Sequence, residues 1–290
     1  MSEGMVRLEG GAFLMGSERF YAEEAPARVV EVGPFRIDAG PVTNRAFAAF
    51  VAETGWITRA EIAPDPADYP GLPPERARPG SLVFQGLDED AARAAPEAWW
   101  AWREGASWRR PLGPGSSHED VPDHPVVHVT IDDARAFAAW AGKDLPTEAE
   151  WEFAARGGLD GADYAWGELY RPDGRWLANT WQGPFPYRNT AEDGWERTSP
   201  VGAFPPNGHG LYDMIGNVWE WTKAPWRPPT RASKPGCCPS EEREAAYVVK
   251  GGSYLCTPDY CARYRPAARQ PRPADTATGH TGFRCVIREG

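Results

Sequence analysis

The residues best able to do chemistry lie late in the chain. Cys256 and Cys261 are separated by four residues, within Gly251-Gly-Ser-Tyr-Leu-Cys-Thr-Pro-Asp-Tyr-Cys261. Positions i and i+5 face opposite sides of a regular strand and stand well apart around a helix. Pro258 interrupts either element. The segment therefore reads as a loop that can bring both sulfurs together. Two close thiols leave three readings open. Two thiolates suit a soft monovalent ion, with Cu(I) the obvious candidate. A redox disulfide is the second reading. A pair of buried small hydrophobes is the third. A structural zinc site is disfavoured, because it wants four ligands at tighter spacing. Cys237 and Cys238 are vicinal and awkward as joint ligands of one tetrahedral ion. The total of five cysteines is odd, which argues against a full disulfide framework. The five histidines are His118, His124, His128, His209 and His280. His124 and His128 are spaced i, i+4, but Pro125 and the β-like Val126-Val-His-Val argue against a helical metal pair; structural roles are expected.

The elements that must hold this loop are modest. Thr43 is a plausible N-cap for a helix carrying Phe47, Phe50 and Val51 at helical spacing, with Gly55 as its stop. Thr130 and Gly142 bracket a second helix. A third runs from Pro146 to Gly157, with Thr147 and Glu150 as a capping box. Leu8–Ser17 reads as strand and turn, and Arg28–Asp38 alternates like a half-buried strand. Further short strands are expected at Tyr247–Gly251 and Gly282–Ile287. Residues from about Ala60 to Ser117 read as a long irregular region with one short helix near Glu89–Ala95. Trp99, Trp100, Trp102 and Trp108 are too many for a solvated linker, so some must pack on the core or line a cleft. With 31 Gly and 30 Pro, turns and loops dominate. The pattern predicts one mixed α+β domain over 1–290, without linker or repeat.

A net charge of −10 makes nucleic acid and anionic membranes poor partners. No run approaches the roughly 18 apolar residues of a membrane span. The N-terminus lacks an apolar signal-peptide core, so the cytoplasm is the expected location.

The cysteine segment, with Arg263-Tyr-Arg265, Ala267-Ala-Arg269 and Gly282-Phe-Arg-Cys285, resembles the C-terminal signature of the formylglycine-generating enzyme family, also called sulfatase-modifying factors. Further matches fall in order along nearly the whole chain. They are Gly10–Ser17, Pro41–Asn44, Pro122–Val129, Trp140–Lys143, Leu145–Glu152, Ala178–Gly183, Phe204–Tyr212 and Gly216–Trp221. Many of these are shared with iron-dependent sulfoxide synthases and with ligand-binding proteins of C-type-lectin-like shape. The cysteine pair is the discriminating element.

The resemblance implies a C-type-lectin-like fold and a monomeric oxidase that uses Cu(I) and O2 to turn a peptide cysteine into formylglycine. The implied copper ligands are Cys256 and Cys261. Ser253 would position polar groups, Trp219 would wall an oxygen pocket, and Tyr260 would line the cleft. The implied substrate is an unfolded sulfatase segment of Cys-x-Pro-x-Arg type, whose arginine needs a carboxylate or carbonyl pocket. Two structural Ca2+ sites are implied as well. One comprises Asn179, Thr180, Asp193 and Trp195, the other Asp213, Gly216, Val218 and Glu220. Oxygen donors of this mixture suit a hard cation. Some positions depart from the family pattern. His280-Thr281 stands where many members carry an Asn-Leu-like pair, and Thr257-Pro-Asp259 where others have His and Ser. Pro266 replaces a disulfide cysteine of a secreted relative. The readings to separate are this oxidase, a non-catalytic binding module on the same fold, and an oxidase acting on another thiol.

Overall fold

The computed structural model describes residues 4–65, 67, 69–73, 77–87, 98–228 and 246–289. The expected helix near Glu89–Ala95 and the Cys237-Cys238 pair lie outside the described residues. The three helices form where their caps place them. α1 (Asn44–Thr54) starts at Thr43, whose hydroxyl accepts from the Ala46 N–H, and stops at Gly55 with φ 69°. α2 (Ile131–Trp140) opens with a reciprocal box between Thr130 and Asp133. α3 (Glu148–Arg156) opens with the Thr147–Glu150 box and ends at left-handed Gly157.

The strands are short. β1 (Met5–Leu8) pairs antiparallel with β4 (Phe35–Asp38), which pairs in turn with β11 (Val286–Arg288), so the two ends of the chain share one sheet. β2 (Gly11–Met15) and β3 (Arg28–Val32) form a hairpin. The stretch Arg28–Asp38, expected as one strand, is thus two strands in two sheets. Gly33-Pro34 breaks it, because proline cannot continue the ladder. Similarly, the strand expected at Gly282–Ile287 divides into β10 (Thr281–Gly282), which lies parallel to β7 (Trp219–Pro225), and β11. Between them the chain turns at buried Phe283 and Arg284.

The four-stranded sheet has the order β10-β7-β8-β9, with β8 at Ala246–Lys250 and β9 at Arg269–Pro273. β9 tolerates Pro271 and Pro273 because it is an edge strand. The region expected to be irregular carries a hairpin, β5 (Gly80–Phe84) with β6 (Trp100–Glu104).

Helices α1 and α2 close over one aromatic core. Phe47 stacks on Phe137 with ring centroids 5.9 Å apart, and Phe137 meets Phe283 at 5.4 Å. Trp108, Trp151 and Trp221 are fully buried. Each such side chain contributes on the order of 2–3 kcal/mol by burial. A second, smaller cluster joins Phe84, Trp181, Tyr254 and Leu255 with Trp99, Trp100 and Phe185 beside the cysteine loop.

Candidate active site

The exit of β8 sets the cysteine loop. Gly251 and Gly252 adopt φ 92° and 72°, a region that disfavours any other residue. A Cβ on Gly252 would lie 2.8 Å from the Arg263 carbonyl oxygen and the Tyr264 nitrogen. This close approach folds the strand exit onto the segment that follows Cys261. Ser253 then begins a turn in which the Cys256 N–H donates to the Ser253 carbonyl at 2.9 Å. Thr257-Pro-Asp-Tyr260 makes the next turn, and the Cys261 N–H donates to the Thr257 carbonyl at 2.9 Å. The two sulfurs meet at 3.6 Å. Proline at the second position of that turn supplies its preferred φ. The expected proline-bearing loop is therefore present and does bring the thiols together.

Cys256 is buried and Cys261 is half-buried; both are free thiols. They line a cavity of about 320 Å³. All five residues expected at the site line it: Cys256, Cys261, Ser253, Trp219 and Tyr260. Ser253 is fully buried, and its backbone N–H points at the Cys256 sulfur at 3.4 Å. Trp219 is buried, whereas Tyr260 is 59% exposed at the mouth and stacks on Phe185 at 4.7 Å. Trp99 and Trp100 line the same space, as a cleft role for some of the tryptophans required.

The thiols differ in acidity. A hydrogen bond from Cys256 lowers the Cys261 pKa to about 7, burial opposes this, and the neighbouring Arg263 guanidinium helps it. The same hydrogen bond, with burial, pushes Cys256 well up. Cys261 is thus the more acidic of the two thiols, and the titration belongs to the pair. Among the described residues no group of three or more Cys, His, Asp or Glu side chains could hold a metal. The site offers two soft donors and open space, which fits a soft ion needing few ligands.

Three polar residues of the cavity were given no site role from sequence: Arg263, Gln270 and His280. Arg263 lay within a quoted motif, and His280 was flagged only as a departure and expected to be structural. A separate cavity of about 240 Å³, lined by Arg59, Tyr69, Trp102 and Asp275 among others, carries no cysteine or histidine.

The expected calcium residues divide into two cases. The Asn179 side-chain oxygen is buried with no partner. Burial also raises the Asp193 carboxyl above its usual range, although the Trp195 and Thr180 N–H groups donate to it at 2.9 and 3.2 Å. An orphaned oxygen and a desolvated carboxylate fit a hard cation. In the second set both carboxylates are buried and already hydrogen-bonded. Burial pushes Asp213 up to about 6. The Glu220 carboxylate is gripped by Arg284, whose Nε and Nη2 each donate at 2.7 Å, and by Trp151 Nε1 at 2.8 Å. Among the described residues Glu220 Oε1 accepts only from Arg284 Nη2 and keeps a lone pair free.

Residues 1–289 match the family profile of the sulfatase-modifying factor enzyme 1-like domain. The formylglycine-generating enzyme of Mycobacterium tuberculosis is 52% identical over 290 residues, covering 97% of each chain. The chain belongs to this family. Formylglycine-generating enzymes of this kind are oxidoreductases. The family also contains a Bos taurus relative named inactive C-alpha-formylglycine-generating enzyme 2, 41% identical over 99% of this chain and 88% of its own length. Membership alone thus leaves catalysis to be argued from the site. The fold is shared with PvdO from Pseudomonas aeruginosa, at a TM-score of 0.65 and 24% identity over 97% of this chain and 93% of that one.

Proposed function

We propose that the chain is a copper-dependent oxidase that converts a cysteine in a Cys-x-Pro-x-Arg-type sulfatase segment to formylglycine with O2. One observation carries the reading: the Cys256 and Cys261 sulfurs stand 3.6 Å apart on the wall of an accessible cavity. These two sulfurs would hold the metal. Cu(I), when bound there, supplies the one-electron chemistry that O2 requires.

The chain's own residues do the rest. Cys261 is the more acidic thiol, because the Cys256 hydrogen bond and the Arg263 guanidinium both favour its charged form. The Ser253 N–H fixes the Cys256 sulfur. Trp219, Trp100 and Phe84 give the cavity apolar walls beside the sulfurs. Tyr260, Phe185 and Trp99 form an aromatic rim, with Trp99 meeting Phe185 at 5.5 Å and Tyr260 at 5.6 Å. That rim suits an extended, proline-bearing peptide, because rigid extended segments dock against aromatic grooves at low entropic cost. The same reading places one Ca2+ at Asn179, Thr180, Asp193 and Trp195, where it would stiffen the loop leading to Trp181. Free Cys256, Cys261 and Cys285 support a reducing, cytoplasmic setting.

The test is incubation of the Cu(I)-loaded protein with a Cys-x-Pro-x-Arg peptide in air, followed by mass spectrometry. The expected result is an aldehyde product that disappears in Cys256→Ala and in Cys261→Ala. Tight copper binding without turnover of this peptide would instead assign an oxidase for another thiol. Failure of both binding and turnover would assign a binding module.

A further inference from the structure

The wall behind the cysteine pair holds a charge with no partner. Arg272 lies on β9 and is buried. Gln270, two residues earlier on the same face of that strand, lines the cavity. The Arg272 guanidinium donates to Thr278 Oγ1 at 3.0 Å and to His280 Nε2 at 3.4 Å, while its Nε has no partner. Among the described residues no carboxylate pairs with it. The other deeply buried arginines each grip a glutamate: Arg156 with Glu152, Arg265 with Glu24, and Arg284 with Glu220. A lone buried charge is expensive, so a fold keeps one where an anion will sit.

Among the described residues no carboxylate supplies that anion. His280 accepts from Arg272 at Nε2, so its proton resides on Nδ1 and is donated to Thr278 Oγ1 at 2.9 Å. Burial, helped by the Arg272 charge, holds this imidazole neutral. His128 is neutral too, bonded to Ser81 and to the Pro111 carbonyl. Arg263, beside Cys261, is already paired with Glu23. Burial lowers the Arg272 pKa to about 10, and negative charge at the Cys256 sulfur favours its charged form. One monovalent cation held by two thiolates carries a net charge of −1, and a single unpaired guanidinium cancels it.

We propose that Arg272 is the counter-charge of the Cys256–Cys261 centre, a positioning residue that holds the centre's net negative charge from behind His280. The proposal rests on the copper reading above. It gives the buried guanidinium a role that costs stability in the metal-free protein and is recovered on loading.

The test compares the full-length parent with Arg272→Met and Arg272→Lys. Cu(I) affinity is read anaerobically by competition with a chromophoric Cu(I) chelator, and thermal unfolding is followed without metal. Arg272→Met is expected to bind Cu(I) about tenfold more weakly or worse, a loss of about 1.4 kcal/mol or more. Its metal-free form should melt at the parent's temperature or above. Arg272→Lys, which keeps the charge, should bind within about threefold of the parent. Equal affinity in the parent and Arg272→Met overturns the proposal and leaves the copper reading standing. A parent that binds no Cu(I) overturns both. Weak binding by Arg272→Lys, or a metal-free Arg272→Met that melts well below the parent, also overturns it, since either result means that shape rather than charge is what matters.

Discussion

Two buried regions of the molecule treat charge in opposite ways. Beneath β8, Glu152 takes Arg156 at 2.7 Å and Lys250 at 2.8 Å, with all three side chains nearly sealed from solvent. Glu148 with Arg269 and Glu24 with Arg265 extend the same pattern. Behind the cysteine cavity, Arg272 has no carboxylate among the described residues and donates instead to Thr278 and the neutral His280. The paired region fixes the end of β8, and through Gly251 and Gly252 it fixes where the cysteine loop begins. The unpaired region faces the place where chemistry is proposed. Satisfied charges specify the scaffold, and an unsatisfied one marks the site.

That contrast can be broken from the paired side first. Glu152→Gln leaves Lys250 and Arg156 buried without their carboxylate, and should cost about 3–5 kcal/mol in denaturant unfolding. An effect under ~1 kcal/mol would show that the network is dispensable.

The histidine side is sharpened by pH. Burial holds His128 at about 4 in the folded protein, below the 6.5 of an ordinary imidazole. As pH falls, the unfolded chain takes up its proton first. Stability is therefore intact above about pH 6.5 and falls as pH drops towards 4, with His128 accounting for about 3 kcal/mol. His128 has φ 61°, so Asn is the replacement that best tolerates its backbone. In His128→Asn the slope of stability against pH in this window should flatten. An unchanged slope would assign it to other groups, with His280 the next to examine.

The link between the regions is tested by Gly252→Ala. The positive φ and the 2.8 Å approach to Arg263 predict a loss of about 1–3 kcal/mol, with a larger fractional loss of copper binding as the sulfurs separate. The smallest effect belongs to a control on the surface. The Arg45–Asp123 pair, 2.9 Å apart and exposed on both sides, should be worth under ~0.5 kcal/mol when Arg45 becomes Ala.

The sequence showed the parts whose signals are local. Thr43, Thr130 and Thr147 announce their helices because a cap is a contact within four residues. Cys256 and Cys261 stood out through the family resemblance of the segment that carries them, since their spacing alone left three readings open. The β5–β6 hairpin was missed because its tryptophan-rich strands lack clean alternation. β9 was missed because its two prolines argue against a strand unless its edge position is known. Arg272 was illegible for another reason. An arginine reads as solvated until the fold shows that it is buried and that no acid comes with it. Glu220 taught the same lesson in reverse, since its capture by Arg284 spans 64 positions.

The most direct test of the central claim is copper-edge X-ray absorption on the Cu(I)-loaded protein. Two sulfur donors per copper in the parent, and loss of bound copper in the Cys256→Ala, Cys261→Ala double variant, are the predicted results. Nitrogen or oxygen donors in the parent, or full copper retention by the double variant, would contradict it.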